Sequence, residues 1–262
     1  MTNSAVSPII LFGFQRSGTT ALAHYLSECF ARNDGVFTVN GKLLYYLNRW
    51  LTDEDLRYRH FRSDEIAHSI GRIQPGGPAA EVWIEAARSA LDEVAGLIAE
   101  GTELSRVDMT ALILDRVYSN WKRWGEKYNE LVLSISYLES VLHQPRYVFL
   151  YRNPSSVTRS MLQWSGHRPW NPREMQSAEA KWHAWNQAAY HELLRVDRVR
   201  VLYINYDELC DDSGIADELE YFIELDCADF IRSRYSRKSD RAPLSFLSGE
   251  AEQLWSSLVY SR

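Results

Sequence analysis

The segment from Ile9 to Phe30 limits this chain more than any other. Ile9, Ile10, Leu11 and Phe12 begin an unbroken apolar run that continues through Gly13 to Phe14. Such a run reads as a buried strand of a parallel sheet. From Ala21 to Phe30 the pattern turns helical, with Leu22, Tyr25, Leu26 and Cys29 on one face. Between the two lies a short loop, Gln15 to Gly18. A strand, a glycine-bearing loop and a helix in this order predict the opening unit of an α/β protein.

The rest of the chain repeats the alternation. Lys42 to Leu51 is apolar at helical spacing, and Asp53 to Ile70 reads as helical in pieces. A breaker at residues 73–78 precedes a long amphipathic helix, Ala80 to Ala99, ended by Gly101. Helices are expected over Ala111 to Trp124 and Leu131 to Leu142. Arg146 to Tyr151 reads as a second strand. Asn153 and Pro154 then start a helix, Ser155 to Gln163, because proline suits the first helical turn. Further expectations are a loop from Ser165 to Arg173, a helix from Glu174 to Leu194, and a strand from Arg198 to Ile204. A helix from Ala216 to Leu225, a basic loop from Arg232 to Arg241, and a closing helix from Gly249 to Tyr260 complete the pass. The predicted architecture is α/β: a P-loop-like central parallel sheet flanked by helices on both faces, in one domain spanning residues 1–262.

Composition narrows the partners. A formal charge of −6 over 262 residues argues against a nucleic-acid binder, while leaving room for a local basic pocket. Cys29, Cys210 and Cys227 show no metal-binding or redox spacing, so reduced thiols in a cytoplasmic protein are expected. Neither a signal peptide nor a membrane-spanning run is read from the sequence, and no metal site is expected.

The first loop carries chemistry. Gly13 and Gly18 stand in the frame G-x-x-x-x-G, followed by Thr19 and Thr20. Glycine lets the backbone approach an anion, and successive N–H groups at a helix N-terminus form a nest for phosphate. An ATP-using loop carries lysine after the second glycine. Here Thr19 takes that place, the cation is Arg16, and no apolar strand ends in an obvious magnesium-binding aspartate. Kinase and ATPase chemistry lose their two main supports. The frame alone also fits a turn that binds nothing; Arg16 to Thr20, set directly between strand and helix, favours phosphate. Arg152 ends the second strand, where parallel sheets receive ligands, and a guanidinium there can grip a phosphate through two hydrogen bonds. Ser160 lies two turns along the following helix. Alone, this pair also fits a surface ion pair and an ordinary serine.

Together the two elements resemble those of the PAPS-dependent sulfotransferases, a P-loop-like α/β family; PAPS is 3′-phosphoadenosine 5′-phosphosulfate. Gly13 to Thr20 resembles the loop for the 5′-phosphosulfate, and its Arg16 variant is similar to that of the tyrosylprotein and bacterial branch. Tyr151, Arg152, Asn153 and Pro154, with Ser160, resemble the 3′-phosphate element, although Asp or Gly is commoner where Asn153 stands. Gly125, Glu126, Lys127 and Tyr128 resemble a segment written EKTP or NKDP in relatives. Tyr206 to Leu209 resembles the YEDL element, whose tyrosine reaches the nucleotide. Ser236, Arg237 and Lys238 resemble the late basic loop that closes over PAPS. The resemblance spans roughly residues 8 to 240.

It implies in-line sulfuryl transfer from PAPS to a hydroxyl or amine of a small-molecule acceptor, releasing adenosine 3′,5′-bisphosphate (PAP). Arg16 and the amides of Ser17, Gly18, Thr19 and Thr20 would hold the 5′-phosphate. Lys127 would stabilise charge on the bridging oxygen or the transferred group, unless it is simply a solvated lysine. The general base is missing. In the tyrosylprotein branch a glutamate follows the first helix, whereas the matching stretch here holds Asn40 and no carboxylate. Asp108, His143 and His167 are the remaining candidates, and an amine acceptor needs no base. The acceptor is expected against Val36 to Ile73 and Ser165 to Arg173, with Tyr45, Tyr46, Trp50, Trp164 and Trp170 among the lining side chains. A phosphotransferase with a degenerate loop and a non-catalytic nucleotide-binding module are the competing readings. Oligomeric state stays open.

Overall fold

The computed structural model describes residues 7–72, 79–164, 171–211, 214–235 and 242–261. In chain order these form β1 (Ile9–Phe12), α1 (Thr19–Ala31), β2 (Gly35–Thr38), α2 (Leu43–Trp50), α3 (Asp53–Arg57), α4 (Ser63–Arg72), α5 (Ala80–Glu100), α6 (Arg106–Tyr118) and β3 (Arg123–Lys127). There follow α7 (Ile135–Val141), β4 (Arg146–Tyr151), α8 (Pro154–Leu162), α9 (Met175–Leu193), β5 (Val201–Asn205), α10 (Tyr206–Cys210), α11 (Ile215–Ile223), α12 (Ala228–Arg234) and α13 (Gly249–Tyr260). The strands make one parallel sheet in the order β2-β3-β1-β4-β5. Val36 lies opposite Trp124 and Thr38 opposite Glu126, while Tyr147 faces Val201 and Tyr151 faces Asn205. The α/β class with a central parallel sheet follows directly. No helix among the described residues is long and apolar enough to cross a membrane.

Several boundaries differ from the sequence expectation. The helix expected over Ala111 to Trp124 begins at Arg106 and stops at Tyr118, so that Trp124 sits in β3. Ser105 explains the earlier start: its hydroxyl accepts the Asp108 N–H, and Asp108 answers with a carboxylate on the Ser105 N–H, a reciprocal cap. The expected strand from Arg198 begins with a 3₁₀ turn, Arg198–Arg200, and the helix expected from Leu131 begins as one, Asn129–Ser134. Arg232 and Arg234 belong to the last turn of α12 rather than to a loop. Two strands, β2 and β3, were not expected at all.

By contacts the chain groups into two compact units: residues 1–10 with 23–146, and residues 11–22 with 147–262. The first packs α5 on α6 and buries Trp83, Leu91, Val94, Ile113 and Val117. In the second, Phe12 meets Tyr147 and Phe149 at ring-centroid distances of 5.9 and 5.8 Å, and Trp182 is fully buried on α9. Cys29 and Cys227 are buried, Cys210 is half-buried, and none of the three is in a disulfide.

Candidate active site

The phosphate loop belongs to the second unit. Gly13 has no room for a side chain, since a Cβ there would collide with the Leu150 carbonyl oxygen and lie 2.9 Å from Thr19 Cγ2. Arg16 (φ 68°) and Gly18 (φ 93°) both adopt left-handed backbone on either side of Ser17. Alternation of this kind turns successive N–H groups toward one concave side. At Gly18 the turn is also closed by aromatics: a Cβ would sit 2.6 Å from the Tyr206 ring and from Tyr235 Oη. The Tyr235 hydroxyl donates to the Gly18 carbonyl at 3.3 Å. Thr19 then opens α1 with the helix N-terminus behind the loop. Among the described residues the Ser17 hydroxyl is buried without a hydrogen-bond partner.

Arg152 reaches the same loop from the end of β4. Its Nη1 donates to the Arg16 carbonyl at 3.1 Å, and its guanidinium lies 4.2 Å over the Tyr206 ring. The side chain is only 7% exposed, and among the described residues its Nε has no partner and no carboxylate pairs with it. A buried cation left in this state costs several kcal/mol of order unless an anion answers it. Arg16 Nε donates to Ser160 Oγ at 3.0 Å, so the serine two turns into α8 is brought to the first loop. Asn153 sets this geometry. Its Oδ1 caps the N–H groups of Ser155 and Ser156, Pro154 takes the first helical position, and its Nδ2 donates to the Ala242 carbonyl. Tyr206 begins α10, capped by Asn205, and packs 5.7 Å from the Tyr235 ring. Arg16, Ser17, Gly18, Thr19, Arg152, Ser160 and Tyr206 therefore converge, with Thr20 in the first turn of α1.

A second cluster lies in the first unit, at the end of β3. Glu126 and Lys127 are successive strand residues and so point to opposite faces. Lys127 is 4% exposed, and its Nζ donates to Asn40 Oδ1 at 3.4 Å. Burial, and then the ammonium of Lys42, push its pKa down to about 8. Lys42 has left-handed backbone (φ 59°) just before α2, and its Nζ sits 4.8 Å over the Tyr128 ring. On the other face, Glu126 is fully buried and accepts the Leu44 N–H at 3.4 Å. Burial drives its pKa up to about 8, against the N–H groups of Leu44 and Leu43. Its second oxygen is buried without a hydrogen-bond partner among the described residues, in a polar cluster with Thr38, Trp83 and Tyr118. Beyond Tyr128, Tyr45 stands edge-on at 4.8 Å and Tyr46 stacks on Trp50 at 4.8 Å.

The remaining candidates fare differently. Asp108 is the exposed partner of the α6 cap, and hydrogen bonds from Ser105 lower its pKa. His143 is exposed after α7. Ser236, Arg237, Lys238, His167 and Trp170 lie outside the described residues. Sequence reasoning missed three participants. Lys42 was hidden in an apolar helical run, and Tyr235 lies within the segment read for its basic residues. Lys181 donates to Gln15 Oε1 at 3.4 Å from the middle of α9, with no local signal.

Known proteins resemble the chain over most of its length. A profile described as "Sulfotransferase family" matches residues 8–229. The sulfotransferase domain of the Synechococcus PCC 7002 olefin synthase superposes with a TM-score of 0.60 at 15% identity, covering 99% of this chain and 98% of that one. A sulfotransferase domain from the curacin biosynthetic pathway gives 0.52 at 15%, covering 98% and 99%. Sulfotransferase STF9 from Mycobacterium avium gives 0.52 at 14%, covering 99% of this chain and 78% of that one. No curated protein matches the sequence.

Proposed function

Because the chain belongs to the sulfotransferase family, we propose that it moves a sulfuryl group from PAPS to a hydroxyl or amine of a small-molecule acceptor and releases PAP. The observation that carries this reading is Arg152: a buried guanidinium held by the Arg16 carbonyl and the Tyr206 ring, with Nε unanswered. Arg152 and Ser160 grip the 3′-phosphate, and Arg16 with the Ser17 to Thr20 amides grips the 5′-phosphate. Orphaned Ser17 Oγ adds a donor in the same concavity. Tyr206 offers its ring to the nucleotide. Lys127 stabilises the charge that develops on the bridging oxygen as the acceptor attacks sulfur in line. A sulfuryl group carries less negative charge than a phosphoryl group, so fixed cations suffice for that task. Tyr45, Tyr46 and Trp50 supply an aromatic wall for the acceptor.

Thermal unfolding with PAP, PAPS and ATP–magnesium in parallel tests the donor. PAP at a hundredfold excess over its Kd should stabilise the fold by about 2.7 kcal/mol. A response to ATP–magnesium with none to PAP would overturn the assignment.

A further inference from the structure

Helix α9 touches both phosphate elements. Lys181 and Trp185 stand four residues apart on one stripe of the helix and meet successive residues of the loop. Lys181 Nζ donates to Gln15 Oε1 at 3.4 Å, and the Trp185 ring lies 6.1 Å from that of fully buried Phe14. Trp182, on the neighbouring stripe, serves the other element: its indole N–H donates to the Arg152 carbonyl at 3.3 Å. Ammonium and indole nitrogens only donate, so the direction of each bond is fixed. All of these residues belong to the second compact unit.

The contacts close a ring. Arg152 Nη1 donates to the Arg16 carbonyl, and a peptide bond joins Arg16 to Gln15. Gln15 accepts from Lys181, a second peptide bond joins Lys181 to Trp182, and Trp182 donates back to Arg152. An open series of contacts lets its ends drift, whereas a closed one holds them at one separation. The parts held here are the left-handed loop at Arg16 and the guanidinium at the end of β4. The Arg152 carbonyl lies in a buried stretch of backbone just before the cap of α8, where it needs its donor.

We propose that Lys181 and Trp182 are positioning residues that hold the 5′-phosphate loop and the Arg152 guanidinium at the separation of the two phosphates in a nucleoside 3′,5′-bisphosphate. The inference rests on the donor assignment above. Lys181 acts through Gln15, and Trp182 acts through the Arg152 backbone. A ligand with one phosphate uses one grip and is indifferent to the separation. A ligand with both is sensitive to it, because a misplaced second grip forfeits its hydrogen bonds. The two residues thus set selectivity for the second phosphate.

Calorimetric titration of the full chain with PAP, adenosine 5′-monophosphate and adenosine 3′-monophosphate tests this. Lys181→Met keeps the length of the side chain and removes the donor; Trp182→Phe keeps a ring and removes the indole N–H. Each should weaken PAP binding by about tenfold, and should change the affinity of either monophosphate by less than about twofold. Lys181→Arg, which can still donate to Gln15, should restore PAP binding. Because one cut opens the ring, the double variant should bind PAP about as well as the weaker single variant. Lys181 is half-buried, so Lys181→Met carries the prediction even where Trp182→Phe does not fold. Equal weakening of all three ligands would show support of the fold alone and overturn the proposal. An unchanged PAP affinity in Lys181→Met, or losses that multiply in the double variant, would overturn it too. A parent chain that binds no PAP overturns the donor assignment, and this proposal with it.

Discussion

Arg152 carries a charge into a nearly closed site and finds there a carbonyl and an aromatic face. An anion is the partner this arrangement lacks, so Arg152→Ala should abolish the thermal shift by PAP, and Arg152→Lys, with no planar fork, should restore only part of it. An undiminished shift in Arg152→Ala would remove this residue from the nucleotide site. Lys127→Ala separates binding from chemistry: PAP stabilisation is retained, and PAPS turnover falls by about 10²–10³-fold. Glu126 gives a signature in pH. Its carboxyl keeps its proton to about 8 in the folded chain against an ordinary value of 4.5, so its stabilising contribution is complete below 4.5 and is lost as the pH climbs to 8. Urea unfolding of Glu126→Gln should therefore match the parent near pH 4.5 and exceed it at pH 8.5; a constant difference between the two would show that the carboxyl ionises normally. Arg16, Arg152 and Ser160 were legible in sequence because strand ends and loop glycines mark them. Lys42 was not, because its role comes from a left-handed turn and a neighbour on β3, 85 residues away in the chain.

At the scale of elements, apolar runs revealed β1 and β4, whose buried stretches are continuous. β3 reads Arg-Trp-Gly-Glu-Lys and has no such run; its last three residues are buried by the sheet and by the turn at Asn40, not by their own character. β2 is four residues long and gives pattern analysis too little to work on. The return of the chain after β5 depends on polar links of the same hidden kind. Glu179 of α9 is 4% exposed and accepts the N–H groups of Leu247 and Ser248, while Ser155 of α8 donates to the Ser245 carbonyl. These links hold the segment leading into α13. Glu179→Ala should lower the unfolding free energy by about 1–3 kcal/mol, because it removes the charged acceptor of the Leu247 and Ser248 N–H groups, and Glu179→Gln should cost less. Equal losses in the two variants would place the effect in packing.

Over the whole molecule, the α/β class and parallel sheet followed from alternating patterns that any part of the chain displays locally. The grouping into two units did not, because residues 11–22 join a unit whose other members begin at residue 147. Arg16 to Thr20, Arg152, Ser160 and Tyr206 all fall in that unit. PAP should accordingly slow amide hydrogen exchange in residues 147–163 and 201–210; protection confined to residues 80–118 would contradict the assigned site. The same grouping has a consequence in time. Arg16 and the arginine that reaches its carbonyl are separated by 136 positions. At about 5–20 residues per second, the ribosome needs roughly seven seconds to half a minute to deliver the second after the first. Throughout that interval the strained loop is already made and its partners are not. A nascent chain stalled before β4 thus holds the loop's sequence without the residues that shape it, and nucleotide binding should arise late in synthesis, when the C-terminal half emerges.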